Sequence, residues 1–305
     1  VRVAVTGATG TIGSALVKDL LARGDEVVAL TRDPESAREK LGESISAVRW
    51  GKPAAEPAPA DALSGCDAVV HLLGEPVDQR WTDEARQEIR NSRVFATRYL
   101  IAGLREADPR PKVLVSQSAI GVYGPRGDEA VDESEPIGAG FLAEVVRDWE
   151  GEARAAEELG MRVALMRTGV VLSESGGALA TMLTPFKLGV GGPVAGGRQY
   201  VPWVHMEDVV GALICALEDD RVRGPVNLTA PEPVTNRELS KALGRVLRRP
   251  ALMPVPAFAV KLLYGEMSSV VTTGARVVPA RLAEIGYRFR RPGLEDALRA
   301  ATGRD

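Results

Sequence analysis

The chain begins with an apolar stretch, Val3-Ala4-Val5. It runs through Thr6 into glycines at positions 7, 10 and 13 and then into an amphipathic helix. Few sequence features restrict a fold so tightly. Gly7 suits the sharp turn that leaves a strand, Gly10 lets backbone approach a ligand closely, and Gly13 lets the helix pack against the strand. The N–H groups and the dipole at the start of that helix favour an anion. A second apolar strand, residues 26–31, follows Arg23-Gly24-Asp25 and completes the strand–turn–helix–strand setting that the motif requires. The segment predicts the pyrophosphate turn of a dinucleotide-binding fold, with Gly7, Thr9, Gly10, Thr11, Ile12 and Gly13 facing the cofactor. The other reading is a glycine-rich connection in a different α/β protein.

Strand-like and helix-like segments alternate through the first half. Strands are predicted at 2–6, 26–31, 46–50, 68–73, 112–116 and 162–166, and helices at 11–23, 82–107 and 141–159. Such alternation implies parallel strands with right-handed crossovers, hence an α/β protein with a Rossmann-type doubly wound sheet. Residues 51–64 read as a Pro/Ala-rich surface connection. After residue 175, glycines at 176, 177, 189, 191, 192, 196 and 197 break the chain into loops and short helices. From Pro231 onward it reads as mostly helical, and Thr235 with Glu238 forms a capping-box pattern. The expected organisation is a nucleotide-binding domain of residues 1–175 plus 205–230. A smaller, mostly helical lobe of residues 176–204 plus 231–305 then sits over the C-terminal edge of the sheet, where ligands of open α/β sheets bind.

Composition narrows the function classes. With 305 residues, 45% hydrophobic and 26% charged, the chain suffices for one large α/β domain or a domain plus a lobe. A net charge of −3 gives no electrostatic case for nucleic acid or an anionic membrane. No apolar run approaches a bilayer span, and a strand at the first residues argues against a signal peptide. Cys66 and Cys215 are distant and read as reduced core residues, and His71 and His205 are the only histidines. A cytoplasmic protein without a metal site is expected.

The end of the second strand selects the cofactor. An acidic residue there favours NAD, and a basic one the 2′-phosphate of NADP. Thr31-Arg32 stands at that point, and a guanidinium offers a donor fork suited to phosphate. NADP is therefore expected, with Arg38 able to assist and Asp33 starting the next helix before Pro34. The bland alternative makes Arg32 a solvated surface residue. Leu72, Leu73 and Gly74, after the fourth strand, are expected on the adenine and pyrophosphate side, with His71 a strand-embedded neighbour. Glu88 and Arg93, five apart on the following helix, either face the cofactor or belong to a solvated, salt-bridged surface.

Three stretches resemble the extended short-chain dehydrogenase/reductases. These are Thr6 to Gly13, Val115-Ser116-Gln117-Ser118-Ala119-Ile120-Gly121-Val122-Tyr123-Gly124 and His205-Met206-Glu207-Asp208-Val209. More closely, the chain is similar to the atypical branch of epimerase family, nucleoside-diphosphate-sugar epimerase-like proteins, which carry a C-terminal domain of unknown function. Arg80-Trp81, Asp148-Trp149-Glu150, Arg167 to Leu172, Pro202 to His205 and Ala230 to Asn236 carry that likeness. It implies NADP contacts at Thr31, Arg32, Leu72, Leu73, Glu88, Arg93 and Val171, with Ser116 and Val170 beside them.

Working members of the wider superfamily use a Tyr-x-x-x-Lys pair for proton transfer. In the corresponding window Phe141 stands for the tyrosine and Val145 for the lysine, and neither side chain can carry a proton. Ser118 and Tyr123 are left as catalytic candidates, with Glu144 a third. Each also has a structural reading: Ser118 satisfying backbone, Tyr123 packing in its loop, and Glu144 at a helix start.

Met182, Phe186, Tyr200 and Trp203 form either a pocket wall or the lobe core, and Lys187 and Arg198 either meet an anionic group or lie on the surface. The resemblance implies an NADP-dependent, epimerase- or oxidoreductase-like protein with non-standard chemistry on an unidentified small molecule. The alternative, supported by the missing Tyr-x-x-x-Lys pair, is a non-catalytic NADP(H) sensor or regulator, which the resemblance to relatives connected with cell or organelle division would fit. A homodimer is compatible with either.

Overall fold

Val3, Ala4, Val5, Val69, Val70, Leu114, Val115, Ala164 and Leu165 expose no surface, as strands covered on both faces require. The computed structural model describes residues 1–173 and 176–304. The expected domain boundary at 175 and the C-terminal Asp305 thus lie outside the described residues.

The strands are β1 (Arg2–Thr6), β2 (Glu26–Thr31), β3 (Ser46–Arg49), β4 (Ala68–His71), β5 (Val113–Ala119), β6 (Ala130–Val131), β7 (Arg162–Thr168), β8 (Val170–Leu172), β9 (Tyr200–Val201), β10 (Trp203–His205), β11 (Gly224–Leu228), β12 (Val234–Thr235) and β13 (Arg276–Val277). The helices are α1 (Thr11–Ala22), α2 (Pro34–Leu41), α3 (Ala60–Leu63), α4 (Asp83–Asn91), α5 (Val94–Glu106), α6 (Phe141–Arg154), α7 (Gly177–Lys187), α8 (Met206–Glu218), α9 (Asn236–Leu247), α10 (Ala257–Tyr264), α11 (Ser268–Thr272), α12 (Ala280–Glu284) and α13 (Leu294–Ala301).

Among the described residues, seven parallel strands form one sheet in the order β11-β7-β5-β4-β1-β2-β3. The order reverses at β1, which lies between β4 and β2, so a crevice opens at the C-terminal ends of β1 and β4. Helices α1 and α8 cover one face through Leu16, Val17, Leu20, Val209 and Leu213. Helices α3, α5 and α6 cover the other through Leu63, Leu100, Leu104 and Ala153. A separate core of Leu179, Leu183, Phe186, Trp203, Leu243 and Leu298 joins α7, α9 and α13 to β10. The capping box at Thr235 is present. No described helix is long and apolar enough to cross a membrane.

Several element boundaries differ from the sequence expectation. Strand β5 runs on to Ala119 and β7 to Thr168, whereas β4 stops at His71. Helix α6 ends at Arg154, short of the expected residue 159. The single helix expected over 82–107 is broken between α4 and α5. The Ile89 carbonyl, which would accept the Arg93 N–H in a continuous helix, instead accepts the Ser92 hydroxyl at 3.2 Å and the Arg93 guanidinium at 3.1 Å. The Arg93 N–H turns to the Arg90 carbonyl. Strand β11 lies outside the predicted strands, and Pro225 within it would break the ladder of a central strand. It is tolerated because β11 pairs only with β7 and forms the edge of the sheet.

Candidate functional site

The glycine turn is dictated by space. Gly7 adopts φ 66°, and a Cβ there would lie 2.8 Å from the Leu72 carbonyl oxygen. A Cβ on Gly13 would lie 2.2 Å from the Gly7 carbonyl oxygen, so neither position accepts a side chain without moving backbone. Gly10 precedes α1 without any side-chain cap, which leaves the first-turn N–H groups to a ligand. Two groups adjoin this turn that a linear reading does not reveal. The Lys40 ammonium donates to the Thr9 carbonyl at 2.7 Å, and the Thr11 hydroxyl faces Gly176 across the turn. Ile12 packs onto the sheet core.

At the end of β2 a surface cavity is lined by Arg32, Asp33, Pro34, Glu35, Arg38 and Arg49. None of its three arginines has a carboxylate partner among the described residues; Arg38 reaches only the Ala47 carbonyl, at 3.4 Å. One oxygen of the Asp33 carboxylate, Oδ1, is engaged by the helix that follows. It caps α2 by accepting the N–H groups of Glu35 and Ser36 at 3.1 and 3.2 Å. The Thr31 hydroxyl shapes the same turn, accepting the Asp33 N–H at 3.2 Å. Three arginines without a carboxylate partner among the described residues outnumber the two carboxylates, Asp33 and Glu35, on the cavity wall, a balance that favours an anion. Arg49 arrives through the pairing of Thr31 with Arg49 between β2 and β3. Only the sheet register, not local sequence, reveals it.

Arg93 occupies the break between α4 and α5 and points inward. Its guanidinium donates to the carbonyls of Glu75 at 2.9 Å and Ile89 at 3.1 Å and stacks over Trp149 at 5.4 Å. It also presses on Gly74, where a Cβ would lie 3.0 Å from it. Burial lowers its pKa to about 10, against the opposing pull of Glu75. Its hydrogen bonds among the described residues all go to carbonyl oxygens. Glu88, by contrast, is exposed on α4, as a residue five positions away that shares a face only loosely can be. Leu72 and Leu73 are half-buried just after β4, and the half-buried Val170 and Val171 open β8, which pairs through them with Trp203 and Val204 of β10. Ser116 is fully buried and donates to the Gln117 carbonyl at 3.2 Å.

Ser118 and Tyr123 are interior residues, each 1% exposed. The Ser118 hydroxyl donates to Glu150 Oε1 at 2.6 Å. Glu150, on α6, holds Arg167 of β7 in a two-pronged ion pair, with both contacts at 2.8 Å. Arg167 in turn donates to the Tyr123 hydroxyl at 2.9 Å, and that hydroxyl donates to Asn227 Oδ1 at 2.7 Å. Both hydroxyl protons are therefore engaged within the protein. Burial pushes the Tyr123 phenol above its ordinary value despite the neighbouring Arg167. Burial works against the Arg167 charge, but the Glu150 contacts outweigh it and hold the guanidinium firmly protonated.

Phe141 opens α6 and meets Trp81 edge-on at 5.1 Å. The Arg86 guanidinium lies over both rings, at 4.9 and 5.9 Å, and pairs with Glu266. Val145 is buried, and Glu144 is exposed in the first turn. In the lobe, Phe186 and Trp203 belong to the core and Met182 packs against it. Their structural reading therefore holds, while Tyr200 is half-buried with Arg276 over its ring at 5.9 Å.

With this geometry in hand, comparison with known proteins is informative. Residues 3–228 match the NAD dependent epimerase/dehydratase family, and residues 255–301 match a domain of unknown function, DUF1731. The chain is 41% identical over 301 residues to the Arabidopsis thaliana protein "Epimerase family protein SDR39U1 homolog, chloroplastic", covering 98% of this chain and 86% of that one. Human epimerase family protein SDR39U1 (isoform 2), crystallised with NADPH, superposes with a TM-score of 0.89 at 34% identity over 99% of both chains. A nucleoside-diphosphate sugar epimerase from Corynebacterium glutamicum gives a TM-score of 0.79 at 33% identity, over 99% of this chain and 58% of that one. The sheet order, the glycine turn and these matches agree, and the chain belongs to the NAD dependent epimerase/dehydratase family.

Proposed function

We propose that this protein binds NADP(H) across the C-terminal edge of its sheet and acts as an epimerase- or oxidoreductase-like protein with non-standard or weak chemistry. The observation that carries the reading is the cavity at the end of β2, where Arg32, Arg38 and Arg49 converge without a carboxylate partner among the described residues and outnumber Asp33 and Glu35. It fits a 2′-phosphate, and Asp33, which would otherwise meet a ribose diol, is committed to capping α2. Gly7, Thr9, Gly10, Thr11, Ile12 and Gly13 would hold the pyrophosphate, while Thr31 and Arg32 would hold the adenosine end. Leu72, Leu73, Gly74, Glu88, Arg93, Ser116, Val170 and Val171 would line the remainder. When bound, the cofactor supplies hydride transfer at a secondary alcohol or ketone carbon. Residues 1–175 plus 205–230 serve as the nucleotide half, and 176–204 plus 231–305 as the substrate-side lobe. The substrate class is a carbonyl or alcohol compound or a nucleotide-sugar-like molecule, with Ser118 and Tyr123 the candidate hydroxyls.

A second reading, a non-catalytic NADP(H) sensor or regulator, is favoured by one observation. The protons of Ser118 and Tyr123 are both given to protein acceptors, while Phe141 and Val145 hold the positions of the usual pair. Titrating purified protein with NADPH, followed by nicotinamide fluorescence, tests the shared part of both readings; no binding overturns them together. Challenging the complex with carbonyl compounds and nucleotide sugars separates them. NADPH oxidation that is lost in Ser118→Ala or Tyr123→Phe supports the catalytic reading, and tight binding without turnover supports the sensor.

A further inference from the structure

His71 ends β4 with no exposed surface, in register with Thr6 of β1 and Ser116 of β5. Both of its ring nitrogens are engaged, and the neighbouring groups fix the direction of every proton. The Thr97 hydroxyl on α5 has one proton and donates it to the Arg93 carbonyl at 2.6 Å. Its oxygen, 3.0 Å from His71 Nε2, therefore accepts, which puts the ring proton on Nε2. Nδ1 is left to accept the Thr6 hydroxyl at 2.7 Å. The Thr6 oxygen in turn accepts the Leu72 N–H at 3.2 Å. One unbroken chain results: Leu72 N–H to Thr6, Thr6 to His71, His71 to Thr97, and Thr97 to the Arg93 carbonyl.

The segments tied to this ring are the C-terminal ends of β1 and β4, where the crevice opens, and the helix break whose Arg93 packs on Gly74. Thr6 immediately precedes Gly7, whose turn fits against the Leu72 carbonyl. Leu72 begins the loop after β4, and Arg93 sits at the break between two helices, where regular backbone bonding is interrupted.

We propose that His71 is a positioning residue for the dinucleotide site, setting the glycine turn and Leu72 through Thr6 and the Arg93 backbone through Thr97. This rests on the NADP(H) reading above. Burial lowers the His71 pKa to about 3, so the ring stays neutral at physiological pH. An apolar side chain of similar size would fill the volume but could not join the strand end to the helix break.

Two measurements test the proposal. The first is the ring nitrogen spectrum of His71 by 15N NMR in the full chain without cofactor. A neutral ring protonated on Nε2, whose signals shift on addition of NADPH, is expected; a ring protonated on Nδ1, or one that ignores NADPH, overturns the proposal. The second is NADPH affinity of Thr97→Val, which keeps the shape of threonine but removes the hydroxyl, and of Thr97→Ser, which restores it. The valine variant should bind about tenfold more weakly, as one unpaired buried polar group implies, and the serine variant within about twofold of wild type. Unchanged affinity in a folded valine variant overturns the relay while leaving the cofactor reading intact. Failure of the wild type to bind NADPH overturns the cofactor reading and the proposal with it. If the valine variant does not fold, the ring spectrum and its response to NADPH decide.

Discussion

Arg32, Arg38 and Arg49 come from three places in the chain: the turn after β2, the middle of α2 and the last residue of β3. A charged hydrogen bond contributes roughly 1.5–3 kcal/mol, so Arg32→Ala should weaken NADPH binding by at least about tenfold. NADH lacks the 2′-phosphate, and its binding should barely change. Isothermal titration with both nucleotides checks this; equal loss for the two sinks the 2′-phosphate assignment. Arg32 was legible because it follows an apolar strand in a recognisable unit. Arg49 and Lys40 were not, because their approach depends on strand register and on how α2 folds back over the glycine turn. Ser118 and Tyr123 show the opposite limit. Their place in a motif was legible, but their acceptors, Glu150 and Asn227, lie 32 and 104 residues away along the chain.

At the level of elements, the Glu150–Arg167 pair joins α6 to β7, and its hydrogen bonds extend to β5 through Ser118 and to β11 through Tyr123 and Asn227. Each partner's side chain is only 5% exposed. Removing one charge from such a pair leaves the other desolvated and unpaired, which costs about 3–5 kcal/mol. Glu150→Gln should therefore lower unfolding stability by about that amount in urea titration. The double variant Glu150→Met with Arg167→Met should recover much of the loss, since it leaves no buried charge behind. A loss below about 1 kcal/mol for Glu150→Gln would show that the pair is not the fastening between these elements. The elements themselves were largely legible, because buried parallel strands read as apolar runs. The exceptions have local causes: Pro225 disguised the edge strand β11, and the break at Ser92–Arg93 comes from side chains capturing the Ile89 carbonyl, which no periodicity reveals.

Across the whole molecule, the C-terminal segment is bonded to the nucleotide half as well as to the lobe. Asp208 of α8 is 1% exposed and accepts the N–H groups of Arg290 and Arg291 at 2.6 and 3.0 Å, while the Tyr287 hydroxyl donates to the Asp208 carbonyl at 3.1 Å. Asn227 of β11 donates to the Val278 carbonyl at 3.0 Å, and Glu133 accepts the N–H groups of both Asn227 and Arg281. These bonds cross between the two regions that glycine content and periodicity suggested as separate. They join side chains to backbone, and Asp208 and Asn227 are buried, so opening the C-terminal segment alone would strand polar groups in the sheet half. The chain should therefore unfold as one cooperative unit. Asp208→Ala removes the acceptor of two part-buried N–H donors and should lower stability by about 1–3 kcal/mol, from the roughly 0.5–1.5 kcal/mol net that each bond contributes. Calorimetry should show one transition moved to lower temperature, with the calorimetric and van't Hoff enthalpies still equal. Two separated transitions, with only the earlier one displaced, would instead mean that residues 276–304 melt independently and that the lobe is fastened to the sheet by its apolar core alone.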